Sequence, residues 1–371
     1  MLGPHKMNTQ PSLRTPTLVI ITSIAIAIAA PAACSSASLV SVNPDGGGAN
    51  GGDAASGEDG ASTDGGGGGG DGSSVSDTGP KGDASAGGKV IFVIPMENKG
   101  QAQIYGDMIN APYINKTLMV AYPHTTNFGD ELPALVSEPH YVWMESGNNS
   151  FSDHVFSGDS DPSATNSTSS TAHLVTQLQT AGISWMSYQE DITAGTCPVA
   201  SAGFYACKHD PFVFFQDVSG SPPSAANAGC ASHHKPLTAL TTDLQNKTVA
   251  AYNFITPDLC HDMHGASGCP QANTNAGNIK AGDDWLRANL PPIIDYAMAH
   301  NGYVFVTWDE GDATNLIPFI AIGKNAIAGR AGTVAYTHSS LLKSEEEILG
   351  VPVLAAATSA SDFSDLFTSF P

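Results

Sequence analysis

Two places in this sequence put oxygen-bearing side chains directly behind an apolar run. In VIFVIPMENKG (90–100) Glu97 and Asn98 follow a β-branched stretch, and in GYVFVTWDEGD (302–312) the run ends in Asp309, Glu310 and Asp312. Neighbouring carboxylates repel one another unless a cation separates them. An all-oxygen set of Glu97, Asn98, Asp309 and Glu310 suits a hard divalent cation, of unspecified identity, better than a soft one. Either stretch alone reads as a polar turn; two of the same construction read as two halves of one site.

Between them lie further groups that can do chemistry. LVSEPHYVWMESG (135–147) holds Ser137 and His140, and CKHDPF (207–212) holds His209 and Asp210. TPDLCHDMHG (256–265) packs Asp258, His261, Asp262 and His264 into one short loop. YTHSSLLKSEEEILG (336–350) begins with His338, and its Ser339 or Ser340 is placed to cap the helix that follows. Isolated histidines such as His233, His234 and His300 read as hydrogen-bonded structural residues. HDMH, with three ionisable groups in four residues, has little structural purpose by its spacing. A serine hydroxyl needs a metal or a base to become a nucleophile, and histidines near it can move protons.

These side chains need a scaffold that brings distant segments to one edge. The runs at 90–94 and 303–307 have the continuous apolar character of strands covered on both faces, and Pro95 should end the first. VAAYNFI (249–255) is a third such run. Strand-like and helix-like stretches alternate, which predicts an α/β domain with a doubly wound, mostly parallel sheet and sites at the strands' carboxyl ends. The strands at 90–94 and 303–307 should then lie close together and parallel.

The chain ahead of that domain is of another kind. His5, Lys6 and Arg14 precede LVIITSIAIAIAA (18–30) and PAAC (31–34), the form of a bacterial export signal over 1–33. Cys34 resembles a lipidated lipoprotein cysteine, with cleavage at Ala-Pro-Ala as the alternative. Residues 34–88 are Gly, Ser, Ala and Asp with almost no large apolar side chain, a flexible tether to a catalytic domain at 89–371. The protein is expected outside the cytoplasm, at the cell envelope or secreted, touching membrane only through a lipid on Cys34. A formal charge of −21 with only 14 Lys plus Arg excludes a nucleic-acid backbone as partner and disfavours adsorption to anionic bilayers. A small phosphorylated substrate stays open, because a metal supplies the missing positive charge. In an exported protein the cysteines after Cys34 should form disulfides; the short loops suggest Cys197–Cys207 and Cys260–Cys269, with Cys207–Cys230 the rival to the first.

Collinear segments carry a family resemblance. VIPMENKGQAQIYGD is similar to the MMENRSFDHYFG signature of the bacterial phosphoesterases that include acid phosphatases and phospholipases C, within the alkaline phosphatase superfamily. WMSYQED (185–191), KHDPF, PDLCHDMH, GDDWL (282–286), TWDEGD and HSSLLKSEEEILGVP resemble that family's segments in the same order, across nearly all of 89–371. The resemblance implies an alkaline-phosphatase-like central sheet with helices on both faces. It implies Ser137 as nucleophile, and Glu97, Asn98, Asp309 and Glu310 as metal ligands, Asn98 also touching phosphate. His209, Asp262 and His264 would be catalytic, with His264 or His209 protonating the leaving oxygen, and His140 and His338 would bind substrate. Two departures stand out: Leu135-Val136 replace the family's His-Pro, and His140 replaces an Asn after the proline. The implied function is metal-dependent hydrolysis of small phosphate esters, acid-phosphatase-like. The alternatives are phospholipase C action on phospholipid head groups, or an inactive relative that binds at the cell surface.

Overall fold

The computed structural model describes residues 88–371. The export signal, Cys34 and the tether expected before them lie outside the described residues. Eight strands form one sheet: β1 (Ile91–Met96), β2 (His124–Thr125), β3 (Trp185–Gln189), β4 (His234–Pro236), β5 (Tyr252–Thr256), β6 (Tyr303–Trp308), β7 (Phe319–Gly323) and β8 (Ala331–Gly332). Their order is β4-β3-β5-β1-β6-β7-β2-β8. β1 lies parallel to both β5 and β6, and only the pairings made by β7 are antiparallel. Every residue of β1, β3, β5, β6 and β7 is buried, so both faces of the central sheet are covered, as continuous apolar strands require. This is the α/β, mostly parallel sheet expected, with 90–94 and 303–307 as immediate parallel neighbours.

The register places the chemistry. Met96 lies opposite Trp308, so Glu97 and Asp309 leave the sheet side by side. Pro95 does not end β1. Pairing with β5 covers only Ile91–Val93, and beyond it β1 has a ladder partner only in β6, where the missing N–H of Pro95 is tolerated. The long helix Asn275–Ala299 packs on β1, β6 and β7. Helices Ser137–Ser146 and His338–Leu349 pack against each other. The second of these is capped at Thr337, not at Ser339 or Ser340: Ser340 sits three residues in, and its Oγ accepts the Thr337 N–H at 3.2 Å.

The cysteine pairing differs from the short-loop expectation. Cys260–Cys269 forms, but Cys197 joins Cys230, with their Cα atoms 5.2 Å apart, and Cys207 is a buried free thiol. The Cys207 Sγ points at the Pro198 carbonyl, 3.1 Å away, while the short helix Ala228–His233 carries Cys230 to Cys197. Sequence proximity lost to tertiary placement. No helix among the described residues is long and apolar enough to cross a membrane.

Candidate active site

The strand ends are tied together by backbone. Asp309 N–H donates to the Met96 carbonyl at 3.0 Å and Glu97 N–H to the Asp262 carbonyl at 2.7 Å, so the HDMH loop is stitched to β1. Asn98 takes a left-handed φ of 46°, a conformation asparagine tolerates better than most residues, and this turns its N–H onto Asp309 Oδ1 at 2.9 Å. Just beyond, a Cβ on Gly100 would meet the Asp312 carboxyl carbon at 2.2 Å. A side chain at this position would have to push the Asp312 carboxylate aside.

Ser137 opens its helix and its hydroxyl donates to Glu97 Oε2 at 3.1 Å. His209 Nε2 lies 3.2 Å from Glu97 Oε1, and its Nδ1 lies 3.5 Å from Asp262 Oδ2. The Tyr141 ring stacks on the imidazole at 5.0 Å. Glu97, Ser137, His209, Asp262 and Asp309 are all buried. Burial, then Asp309 and Asp262, push the Glu97 carboxyl well above its ordinary range. Burial does the same to Asp262, with Asp309 adding to it. Burial, Lys208 and His264 push His209 well down, leaving it neutral.

The defining feature is what these atoms lack. Glu97 Oε1, Asn98 Oδ1, Asp262 Oδ2, Asp309 Oδ2 and His338 Nδ1 are buried and have no hydrogen-bond partner, nor does either ring nitrogen of His209. Buried polar atoms are normally satisfied, so a concentration of exceptions at adjoining chain segments marks a place for a ligand. Oxygen and imidazole donors suit a divalent cation.

The other expected residues hold different positions. His338 Nε2 bonds the Trp308 carbonyl at 2.8 Å; in that tautomer Nε2–H donates and the orphan Nδ1 carries the lone pair, the form a metal ligand takes. His140 has both nitrogens committed, to the Val136 carbonyl at 2.7 Å and Asp130 Oδ1 at 2.8 Å. Burial lowers its pKa, but Asp130 and Asp309 outweigh burial and carry it to about 9. His140 therefore places a fixed positive charge near Asp309 and offers no free ring nitrogen. Glu310 is half-buried, its carboxyl pushed up to about 7 by burial and by Asp309. His264 is half-buried, with Nδ1 on the Gly265 carbonyl at 2.8 Å.

Lys208 was missed in reading the sequence. Its Nζ lies 3.4 Å from Ser137 Oγ and 2.5 Å from Asp159 Oδ2. The signal was available: a lysine directly before His209 in KHDPF, in a chain with so few basic residues.

HDMH divides its labour. Asp262 turns to His209 and the site, whereas His261 turns away, its Nδ1 3.1 Å from Glu190 Oε2 and 3.0 Å from Asp258 Oδ1. Glu190 Oε2 also accepts the Asp258 N–H at 3.0 Å and Trp285 Nε1–H at 3.1 Å. Glu190, Asp258 and His261 are the one trio among the described residues with ligand atoms all within 4.8 Å of one another. Hydrogen bonds that His261 donates to Asp258 and Glu190 raise it to about 10, so a protonated ring already lies between the two carboxylates. It is an ion-paired clamp on the loop, a structural purpose that the spacing did not reveal. GDDWL is structural as well: Asp283 accepts the backbone N–H groups of Tyr113 and Ile114, both at 2.9 Å.

The model of the Phosphoesterase family matches residues 133–352. A phosphatidylinositol-3-phosphatase of Mycobacterium tuberculosis is 29% identical over 282 residues, which cover 75% of this chain and 82% of that protein. A phosphate-repressible acid phosphatase of Penicillium chrysogenum is 27% identical over 189 residues, 48% of this chain and 42% of its own length; the chain thus spans less than half of that fungal relative. A solved structure from Vibrio parahaemolyticus, described as an alkaline phosphatase superfamily protein, aligns with a TM-score of 0.48 at 13% identity, over 76% of this chain and 71% of that one.

Proposed function

The chain belongs to the phosphoesterase family, hydrolases acting on phosphoric ester bonds, and we propose that it cleaves small, soluble phosphate esters through Ser137, assisted by a divalent cation. The observation that carries this reading is the Ser137 hydroxyl bonded to Glu97 among buried donors that have no partner. Glu97, Asn98, Asp309 and Glu310 would hold the cation, with Asp262 and His338 Nδ1 as further donors. When bound, it would lower the serine pKa and offset charge on the phosphoryl oxygens.

The chain's own groups then have defined parts. Ser137 Oγ attacks phosphorus as its proton leaves along the hydrogen bond to Glu97 Oε2. The phosphorus–Oγ bond forms and the ester bond breaks. His264 gives the leaving oxygen its proton from Nε2, since Nδ1 is held by Gly265. Water then attacks the phosphoserine and gives a proton to His264 Nε2, the phosphorus–Oγ bond breaks, Ser137 regains its proton from Glu97 and inorganic phosphate departs. His209, stacked on Tyr141, lies between Glu97 and Asp262.

Turnover of p-nitrophenyl phosphate by the purified protein, with a Ser137→Ala control, tests the proposal; activity surviving that change defeats it. A second reading, a phosphate borne on a lipid head group, is favoured by the mycobacterial relative's name. The net charge of −21 opposes adhesion to anionic bilayers. Faster turnover of phosphatidylinositol 3-phosphate in mixed micelles than of the small ester would put that reading first. We also propose export through residues 1–33, with 34–88 tethering the catalytic domain to a lipidated Cys34 or trailing from it in a secreted form.

A further inference from the structure

Beside Ser137 two hydrogen-bond donors converge on a single carboxylate. Asp159 accepts the Glu138 backbone N–H through Oδ1 at 3.1 Å and Lys208 Nζ through Oδ2 at 2.5 Å. Glu138 follows Ser137 in the first turn of its helix, and Lys208 Nζ is also 3.4 Å from Ser137 Oγ. The two donors thus flank the proposed nucleophile and hold an anion there.

That anion is in the wrong place for a purely structural ion pair. A phosphoryl group bonded to Ser137 Oγ must put its non-bridging oxygens within a few ångströms of that atom, where these donors already point. The surrounding carboxylates of Glu97, Asp262 and Asp309 would repel it. Lys99, near the same carboxylates, donates its Nζ to the Asn98 carbonyl, and four further cations are paired with acids: Lys235 with Asp243, Lys280 and Arg287 with Asp284, and Arg330 with Asp365. Asp159 itself can leave. Its side chain is 32% exposed against 20% for Lys208, and it borders a cleft of ≈ 410 Å³ that Ser160, Asp161, Ser201 and Tyr205 also line.

We propose that Lys208 and the Glu138 N–H receive the non-bridging oxygens of the substrate's phosphoryl group, and that Asp159 occupies their anion site until substrate displaces it. The proposal rests on Ser137 being the nucleophile. It makes Asp159 an internal competitor of phosphate, and Lys208 a residue that contacts substrate.

Calorimetric titration of inorganic phosphate into the full-length protein, in a Ser137→Ala background, tests both halves without needing turnover. Lys208→Met should weaken phosphate binding about tenfold or more, the scale of one lost charge-assisted hydrogen bond, and Lys208→Arg should recover part of it. Asp159→Asn should tighten binding several-fold, with a matching fall in KM for a small ester when Ser137 is restored. Unchanged binding in folded Lys208→Met, or weaker binding in Asp159→Asn, overturns the proposal; the latter would make Asp159 only a support for Lys208. Failure of the nucleophile assignment shows separately, as turnover that survives Ser137→Ala.

Discussion

Two acid–histidine clusters adjoin the carboxyl ends of the central strands, and they are built to opposite rules. In Glu190, Asp258 and His261, a charged imidazole lies between two carboxylates, and Glu190 further gathers the Trp285 and Asp258 N–H groups. In Glu97, Asp262, Asp309 and His209, a neutral imidazole lies among carboxylates whose outer oxygens have no partner. The compact cluster looks more like a metal cage by distance alone, yet the open one has the unmet valence. Proximity of ligand atoms marks an interaction already made. Orphaned atoms mark one still to be made.

The largest effect that separates them is on turnover. Glu97→Gln or Asp309→Asn should lower kcat/KM for p-nitrophenyl phosphate by about 10³-fold or more, as expected when transition-state charge stabilisation is lost. In metal-free protein the same changes should leave the melting temperature level or higher, because each removes a buried like charge. A large drop in melting temperature would show that the open cluster holds the fold and would erase the contrast.

Metal binding is the next discriminator. Titration of a divalent cation into chelator-treated protein should show a site that Asp309→Asn abolishes and Glu190→Gln keeps. The reverse result would give the metal to the clamp. A proton competes there, since His261 titrates near 10 and must be stripped before its Nδ1 can ligate.

Which parts of this contrast were legible follows from the range of the forces involved. The runs ending at Met96 and Trp308 declare their burial through composition, and with two parallel neighbours the register puts Glu97 beside Asp309. The Gly, Ser, Ala and Asp composition of residues 34–88 is as plain, and the tether expected from it lies outside the described residues. The direction in which a loop side chain turns has no such local signature. His261 and Asp262 are neighbours in one motif and serve different clusters, decided for His261 by Glu190 some seventy residues earlier. The Lys208–Asp159 pair and the Cys197–Cys230 bond depend likewise on tertiary placement. Pro95 misled because its cost depends on whether a strand lies on its N–H side.

On stability the clusters should reverse their order. Glu190→Ala strands the Trp285 and Asp258 N–H groups and leaves His261 with one carboxylate, a loss of about 2–4 kcal/mol at the usual cost of unmet buried partners. Thermal or denaturant unfolding should show it, and turnover at a temperature where the variant stays folded should fall far less than in Glu97→Gln. A melting temperature equal to wild type would remove the clamp from the account.

A third group of carboxylates sharpens what an orphan atom means. Helices Ser137–Ser146 and His338–Leu349 present Ser137 and His338 to the site from their amino ends, and carry Glu145, Glu345 and Glu346 toward their carboxyl ends. Glu145 Oε2, both oxygens of Glu345 and Glu346 Oε2 lack partners too. The helix dipole there disfavours negative charge, and burial raises all three carboxyls, Glu346 to about 8. Glu346 is answered by a proton at neutral pH, and Glu145 by the His173 ring, 2.9 Å away. A carboxyl with a folded pKa above its unfolded one binds its proton more tightly when folded, so stability rises as pH falls. For Glu346 the penalty is complete above about 8 and gone near 4.5, the ordinary value. His173, carried to about 9 by Asp217 and Glu145 against the cost of burial, works in the same direction: its stabilisation is full below the ordinary 6.5 and fades as pH rises through 9. The melting temperature should therefore climb between pH 8 and pH 5. Lower net charge contributes to that climb as well, so the decisive quantity is the difference made by Glu346→Gln, which cannot ionise. Its slope over the same range should be shallower than wild type, by a few degrees in total given about 2–4 °C per kcal/mol. Parallel slopes would mean that Glu346 is ionised in the folded protein and that a cation, not a proton, meets it.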